Sequence, residues 1–331
     1  MNVVSLFNGM GTLRQALEDL NIKVDKYYSS EIKPAAIELQ QNHYPDVIQV
    51  GDIKNWREWD IDWSKVGFIG SGSPCQDLSI AGNRKGLKGD RSRLFYLFFE
   101  ILNHVKKLNP NVKFLQENVG SAPIEAVGEM SRALGVYPAR WNSSLVTAQL
   151  RDRYYWTNIK IAEYGMFGDM IVDIPPPMDQ GIMFEDIILD GAVYVDKAQA
   201  LLESEAKTYG YKDMSKFTAL IKRRIEAGRQ LPNFVFTYKK KANAILESES
   251  RPSRNEETLL KRHLEMAMSN VVNDNGTVRI LNKIEMCRLQ GFPDNYCDSI
   301  TRNKAASLLG DGWTLPIIVH ILSFFKGEAK K

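Results

Sequence analysis

Residues 3–17 read VVSLFNGMGTLRQAL, and this stretch decides the fold class of the chain. The apolar run 3–7 has the composition of a buried strand, and residues 12–17 have helical spacing after a glycine turn. Strand, glycine turn and helix form the first unit of a nucleotide-binding α/β fold. Gly9 and Gly11 suit a cofactor loop because glycine lets a ligand approach the backbone closely. The motif lacks a third glycine, so an ordinary strand-to-helix turn explains it equally well.

Acidic residues follow the next two expected strands. The strand at 26–30 ends at Glu31, and the strand at 47–50 is followed by Asp52. An acid about 20 positions after a glycine turn suits the two hydroxyls of a ribose. A single acid at a strand end is commonly a helix cap, whereas two in succession beside a glycine turn favour an adenosine-containing ligand.

A second loop, GSPCQDLS at residues 72–79, follows the apolar run VGFIG at 66–70. Cys75 therefore follows the C-terminal end of an expected strand, where open α/β sheets bind their ligands. Pro74 fixes its own φ and restricts the residue before it, which stiffens the approach to Cys75. Taken alone, a partly buried thiol in a tight turn is the simpler interpretation, because free cysteines are often buried.

Further polar side chains are expected at the same edge of the sheet. The buried run 112–115 leads into Glu117, and a carboxylate beside a strand-end thiol favours a shared active site. If residues 149–153 form a strand, one face of it carries Gln149, Arg151 and Arg153. An amide and two guanidiniums suit a base edge, a carboxylate or phosphates.

The composition is that of a globular enzyme. Of the 331 residues, 44% are hydrophobic and 25% are charged, and no apolar run is long enough to cross a membrane. The first residues are typical of a strand and not of a signal peptide. The three cysteines form no Cys-x-x-Cys pair, so a disulfide framework or zinc site is not expected and a cytoplasmic location is favoured. We expect no membrane and no metal partner, and a monomer is favoured.

Positive charge is concentrated in one segment. The net charge is only +3, yet residues 197–262 contain 15 Lys and Arg against 8 Asp and Glu. This distribution is typical of a nucleic-acid-binding face, with a solvated lysine-rich surface as the alternative. After the prolines at 175–177 the alternation of strands and helices fades. We therefore expect one domain at 1–177, completed by 277–331, and a smaller basic domain at 178–276.

In their order along the chain, these motifs resemble those of the DNA cytosine-5 methyltransferases. The corresponding blocks are Phe7–Gly11, Glu31, Asp52-Ile53, Pro74-Cys75-Gln76, Glu117-Asn118-Val119, Gln149-x-Arg151-x-Arg153 and Arg288–Pro293. The sequence around the cysteine and the C-terminal Gly-x-x-Trp-x-x-Pro motif resemble those of the de novo animal enzymes in particular. The lack of a regulatory extension suggests a bacterial or phage enzyme that acts in a bacterial cell or a phage-infected host.

The resemblance implies an α/β fold: a Rossmann-like S-adenosylmethionine-dependent methyltransferase sheet with helices on both faces, plus a smaller target-recognition domain at 178–276. It implies methyl transfer from S-adenosylmethionine to C5 of a cytosine flipped out of double-stranded DNA. Cys75 would add to C6 as a thiolate, and Glu117 would donate to or protonate N3. Arg153 would hold O2 of the base, while Arg151 would orient Glu117 or the cysteine loop.

The resemblance also assigns binding residues. Phe7 would stack on adenine, Glu31 would bind the ribose, and Asp52 would bind the adenine amino group. The complete expected cofactor set is Phe7, Asn8, Gly9, Met10, Gly11, Thr12, Glu31, Ile32, Asp52, Ile53, Ser73, Pro74, Leu94, Gly312, Trp313 and Thr314. The residues expected to contact DNA are Gln76, Ser79, Arg84, Lys85, Lys222, Arg223, Arg224, Lys239, Lys240, Lys241, Arg251 and Arg254.

Three features depart from the family pattern. Thr12 stands where many relatives carry a third glycine, and Asp311-Gly312 replaces an Asn-Ser or Arg-Ser pair. The recognition segment is also short, which suggests a small or degenerate target site.

Other functions remain open at this point. A methyltransferase of the same fold acting on transfer RNA is one; such relatives carry Cys-Phe-Thr, and the Val235-Phe236-Thr237 of this chain favours DNA instead. A catalytically inactive DNA-binding accessory protein is another. A nicotinamide dehydrogenase, which the glycine turn alone would suggest, lacks a catalytic set in this sequence.

Overall fold

The computed structural model describes residues 1–73, 94–191, 193, 196–201, 234–237 and 277–328. Its strands are β1 (Asn2–Leu6), β2 (Lys26–Ser30), β3 (Ile48–Gln49), β4 (Val66–Ser71), β5 (Lys113–Val119), β6 (Ala139–Asn142), β7 (Gln149–Leu150), β8 (Asp152–Thr157), β9 (Ile161–Tyr164), β10 (Asp169–Val172), β11 (Ala198–Gln199), β12 (Phe234–Thr237) and β13 (Thr277–Ile280). Its helices are α1 (Thr12–Asp19), α2 (Pro34–His43), α3 (Leu94–Leu108), α4 (Ile124–Leu134), α5 (Phe184–Ile187), α6 (Lys283–Gln290), α7 (Arg302–Asp311) and α8 (Leu315–Glu328).

Seven strands form the central sheet in the order β3-β2-β1-β4-β5-β8-β6. The first five are parallel, and β8 runs antiparallel to both of its neighbours. The strand order reverses between β1 and β4, and open α/β sheets bind ligands beyond the carboxyl ends of the strands at such a point. The predicted Rossmann-like α/β fold is confirmed.

Burial along the central strands shows that both faces of the sheet are covered. Every residue of β1 is buried, and six of the seven residues of β5 are buried. Successive side chains of a strand point to opposite faces, so continuous burial requires packing on each side. Helix α1 packs against α8, which joins the first unit of the chain to its last helix.

Two local features differ from the expectation. β5 extends through residue 119 because β8 pairs with it from Leu115↔Thr157 to Val119↔Arg153, so Glu117 lies inside the strand. The expected strand at 149–153 is interrupted at Arg151, since β7 pairs with β11 and β8 belongs to the central sheet. The prediction that its polar residues share one strand face is therefore wrong.

The smaller domain predicted at 178–276 falls mostly outside the described residues, and its boundaries stay a prediction. Strand β12 of that range pairs antiparallel with β13, which begins at residue 277, just beyond it. The nucleophile candidate Cys75 and Pro74 also lie outside the described residues. So do all residues expected to contact DNA: Gln76, Ser79, Arg84, Lys85, Lys222, Arg223, Arg224, Lys239, Lys240, Lys241, Arg251 and Arg254.

No helix in the described part of the chain is by itself long and apolar enough to cross a membrane. Helices α7 and α8 reach the required length and composition only as a pair, and this pair is bent by 44°.

Candidate active site

A cavity of about 320 Å³ lies at the carboxyl edge of the sheet, around the point where the strand order reverses. The segments after β1, β2, β3 and β4 border it, together with the end of β5 and the turn between α7 and α8. It brings together most of the predicted site residues that the structure describes: Phe7, Asn8, Gly9, Thr12, Ile32, Glu31, Asp52, Ile53, Ser73, Leu94, Glu117, Arg151, Arg153, Gly312 and Trp313.

Three predicted cofactor residues lie beside this lining instead of on it. The carbonyl of Met10 accepts a hydrogen bond from Tyr296 at 2.7 Å, and the Met10 side chain is fully buried. Gly11 precedes α1 with φ of 88°, a left-handed conformation that favours glycine. Thr314 donates to Oε1 of Gln290 at 3.1 Å inside the protein. These three residues stabilise the loops whose neighbouring residues line the cavity.

The carboxylate of Glu31 is fixed by the backbone around it. Its Oε2 accepts from the N–H of Gly9 at 2.8 Å, and its Oε1 accepts from the N–H groups of Ile32 and Lys33 at 2.7 and 2.8 Å. A carboxylate oxygen offers two acceptor positions. Oε2 thus retains a position for another donor, which suits a ribose hydroxyl.

Asn8 adds an unsatisfied donor to the same side of the cavity. Its Oδ1 accepts from the hydroxyl of Tyr27 at 2.8 Å, and burial raises the pKa of Tyr27, which keeps that hydroxyl protonated. Its Nδ2 is buried without a hydrogen-bond partner among the described residues. A buried amide without a partner is costly, so a ligand acceptor at this position would relieve that cost.

Phe7 occupies an unusual backbone conformation at the end of β1. Its φ is 54°, which is rare for a residue other than glycine. Such strain occurs mainly at functional sites, where surrounding structure maintains it. The residue also lines the cavity, so its aromatic surface is available to a planar ligand. Phe7, Asn8 and Glu31 therefore fit an adenosine-containing cofactor.

The other side of the cavity carries Glu117. Its Oε1 pairs with Nε of Arg153 at 2.9 Å, and its Oε2 accepts from Nε1 of Trp313 at 3.1 Å. Arg153 was expected to hold the base, and the structure shows it in an ion pair with the carboxylate. Trp313 belongs to the cofactor set predicted from the sequence, but no sequence feature predicted its contact with Glu117.

Arg151 connects β8 to the turn between α7 and α8. Its Nη1 donates to the carbonyl of Gly310 at 3.1 Å and its Nη2 donates to that of Gly312 at 2.8 Å. The side chain is buried, with 3% of its surface exposed. The expected role of Arg151 was to orient Glu117 or the cysteine loop. These contacts join it to the backbone next to Trp313.

The glutamine of the same block has a separate environment. Nε2 of Gln149 donates to the carbonyl of Leu289 at 3.1 Å, and Oε1 accepts from the N–H of Leu201 at 2.9 Å. Gln149 therefore connects β7 to α6 and to the chain after β11, and it does not join the arginines at the cavity.

An ion pair that the sequence did not predict borders the cavity. Nζ of Lys33 lies 2.6 Å from Oδ2 of Asp311, and both side chains are about half exposed. It joins the start of α2 to the end of α7. Asp311 occupies one of the positions that depart from the family pattern, and this ion pair gives it a structural partner.

The chain belongs to the family of C-5 cytosine-specific DNA methylases, whose sequence model matches residues 1–123 and 147–326. The family assigned from the sequence motifs is confirmed. The chemistry of that family is methylation of cytosine at C5, as the motifs predicted.

Curated relatives include bacterial type II methyltransferases. The chain is 34% identical to M.NgoBV of Neisseria gonorrhoeae over 120 residues, which is 35% of this chain and 27% of that protein. It is 26% identical to M.HpaII of Haemophilus parainfluenzae over 95% of this chain and 86% of that protein. The first match thus spans about a quarter of the relative, whereas the second spans most of it.

Solved structures share the fold at low sequence identity. The methyltransferase EhMeth of Entamoeba histolytica has a TM-score of 0.65 at 14% identity, with 100% of this chain and 99% of that chain covered. The Dnmt2 methyltransferase of S. pombe has a TM-score of 0.60 at 15% identity, with both chains fully covered. These structures support the methyltransferase fold.

Proposed function

We propose that this protein transfers a methyl group from S-adenosylmethionine to C5 of a cytosine in double-stranded DNA, through a covalent adduct between Cys75 and C6. One observation carries the proposal: the Glu117–Arg153 pair lines the same cavity as Phe7, Glu31 and Asp52. One site thus contains a carboxylate suited to contact the base and three side chains suited to bind the cofactor.

The cofactor side is proposed to hold S-adenosylmethionine, which would supply an electrophilic methyl group. Phe7 would stack on the adenine, and Oε2 of Glu31 would accept from a ribose hydroxyl. Asp52 would accept from the adenine amino group; its Oδ1 already accepts from the N–H of Lys54 at 3.0 Å, which orients the carboxylate. The unpartnered Nδ2 of Asn8 would donate to the ligand.

Cys75 is proposed as the nucleophile that makes C5 reactive. C5 of cytosine is a weak nucleophile, and addition of a thiolate at C6 converts the ring to an enamine-like form. Formation of the Sγ–C6 bond would open the C5=C6 double bond, and C5 would then take the methyl group, with S-adenosylhomocysteine as the leaving group. Transfer of the C5 proton to water would restore the double bond and expel the thiolate. A methylated base and free Cys75 result.

Ser73, which precedes Cys75 by two residues in the sequence, is held beside the strand that carries Glu117. The Ser73 hydroxyl accepts from Nε2 of Gln116 at 3.0 Å, which ties the chain after β4 to β5 beside Glu117.

Glu117 is proposed to act at N3 of the flipped base. Donation or proton transfer to N3 would withdraw the charge that develops in the ring as the thiolate adds. Arg153 would stabilise Glu117 and contact O2. The base must leave the duplex to reach this site, at a cost of a few kcal/mol.

Double-stranded DNA is the proposed partner, bound through the basic segment 197–262 and the loop at 84–93. The bacterial origin of the curated relatives named above supports action in a bacterial cell or a phage-infected host. Transfer RNA is the second candidate substrate, and the Val235-Phe236-Thr237 sequence favours DNA over it.

A methylation and trapping experiment tests the proposal. The protein is incubated with S-adenosylmethionine and genomic DNA, and bisulfite sequencing locates methylated cytosines; duplex DNA containing 5-fluorocytosine should trap an adduct on Cys75. Cys75→Ala should abolish both signals and retain cofactor binding by calorimetry. Cys297→Ala removes a buried thiol that does not line the cavity and serves as the control.

The outcomes separate the candidate functions. Near-wild-type turnover by Cys75→Ala would refute the nucleophile assignment. Methylation of transfer RNA in preference to duplex DNA would support the RNA enzyme. DNA binding without cofactor binding and without methylated cytosine would indicate an inactive accessory protein.

A further inference from the structure

The carboxylate of Glu117 receives one donor on each oxygen. Nε of Arg153 lies 2.9 Å from Oε1, and Nε1 of Trp313 lies 3.1 Å from Oε2. Since a carboxylate oxygen has two acceptor positions, each oxygen retains one for a further donor. Two anchors on two different oxygens also fix the rotation of the carboxylate, a torsion that is otherwise broad.

The backbone on either side of Trp313 is itself held. The carbonyl of Gly312 accepts from Nη2 of Arg151 at 2.8 Å, and the carbonyl of Thr314 accepts from the N–H of Ile317 at 3.2 Å. A side chain mounted on a backbone fixed before and after it presents its donor in a defined direction.

The indole ring lies against bare backbone at the end of β4. A Cβ atom at Gly72 would lie 2.7 Å from Nε1 of Trp313, and one at Gly70 would lie 3.6 Å from its Cη2. The indole can pack at this position because the two glycines have no side chains to obstruct it. Trp313 thus lies against the end of β4 and donates to Glu117 on β5.

We propose that Trp313 is a positioning residue for the Glu117 carboxylate during methyl transfer. This inference rests on the proposed function, because it requires Glu117 to act at N3 of cytosine. An indole N–H is a donor only, so Trp313 acts by orienting the carboxylate and not by proton transfer. Without it, Arg153 is the remaining partner of Glu117 in the described part of the chain, and the carboxylate gains rotational freedom.

Trp313→Phe retains an aromatic ring against the glycines and removes the donor. We expect kcat to fall about tenfold, within the range for a hydrogen bond to a charged group, while KM for S-adenosylmethionine changes less than about threefold. Trp156→Phe is the matched control: it loses a bond from Nε1 to Ser131 at 2.9 Å, away from the cavity. Its kcat should stay within about twofold of wild type.

A double-mutant cycle tests whether Trp313 acts through Glu117. In a Glu117→Gln background, Trp313→Phe should change kcat by less than about twofold, because the carboxylate it positions is already gone. An unchanged kcat for Trp313→Phe alone would overturn the proposal. A full additional loss in the Glu117→Gln background would overturn it as well.

The indole N–H signal of Trp313 in nitrogen-15 NMR tests the contact without turnover. We expect the signal to shift between the wild type and Glu117→Gln, and an unchanged signal would overturn the proposal even if Trp313→Phe fails to fold. Failure of the wild type to methylate DNA would instead refute the proposed function, so the two failures are distinguishable.

Discussion

Nε of Arg153 lies 2.9 Å from Oε1 of Glu117, and the side chains are 16% and 11% exposed. The pair joins adjacent strands, since Glu117 lies on β5 and Arg153 on β8, and it sits at the cavity. Low exposure limits screening by water and salt, so this ion pair orients the carboxylate more firmly than a surface pair would.

Arg153→Lys should therefore slow methylation while the fold is retained. A lysine keeps the charge but lacks the rigid, planar array of donors that a guanidinium supplies. We expect the rate constant of methyl transfer to fall about tenfold or more, measured with tritiated S-adenosylmethionine and duplex DNA under single-turnover conditions.

The exposed ion pair of Arg140 with Asp152 offers a control at the same edge. Nη2 of Arg140 lies 2.5 Å from Oδ2 of Asp152, with the side chains 52% and 37% exposed. Arg140→Lys should leave kcat within about twofold of wild type, because exposed pairs contribute little. Equal losses in both variants would contradict a specific role for Arg153.

The sequence predicted the features that depend on local pattern. β2 spans residues 26–30 as expected, and Glu31 follows it at the cavity. Glycines, short apolar runs and acids at strand ends are visible in the sequence because strand periodicity and turn chemistry are local properties. Parallel strands then bring their carboxyl ends to one edge, so Glu31 and Glu117 reach the same cavity.

Contacts between distant parts of the chain could not be predicted in the same way. Trp313 and Glu117 are 196 residues apart, and Lys33 and Asp311 are 278 residues apart. Their proximity depends on how α7 and α8 pack beside the sheet, which periodicity does not specify. At the interruption the N–H of Arg151 donates to Oδ1 of Asn142 at 2.9 Å, a contact that strand periodicity does not predict either.

Arg151→Lys should weaken both the fold and cofactor binding. The guanidinium donates to the carbonyls of Gly310 and Gly312, and a lysine cannot reach both with the same geometry. Because Arg151 is buried, we expect the free energy of unfolding to fall by about 1.5–3 kcal/mol. Kd for S-adenosylmethionine should rise about tenfold, because the turn that lines the cavity is released. Urea unfolding and calorimetry measure the two effects.

Arg57→Lys provides the comparison for Arg151. Arg57 pairs with Glu100 at 2.8 Å, and the two side chains are 65% and 47% exposed. Both its stability and its cofactor affinity should match those of the wild type. A normal Kd for Arg151→Lys, together with reduced stability, would limit Arg151 to a structural role.

Gly120→Ala should destabilise the protein through a steric conflict next to the active-site strand. An added Cβ would lie 2.4 Å from Oδ2 and 2.9 Å from the backbone oxygen of Asp152. Rotation of the aspartate cannot relieve the second contact, because that backbone oxygen accepts the N–H of Gly120 at 3.0 Å. Backbone adjustment of this kind costs about 1–3 kcal/mol, and differential scanning calorimetry should show a lower Tm.

Gly128→Ala, a few residues further along the chain, should shift Tm in the opposite direction. Gly128 lies inside α4, and its added Cβ would meet only the flexible end of Arg132, at 3.4 Å. Alanine in a helix interior is more favourable than glycine by about 0.5–1 kcal/mol, so Tm should rise. If both alanine variants shifted Tm in the same direction, the conflict with Asp152 would not be the cause. Opposite shifts would show that the close approach of Gly120 to β8 requires glycine at that position.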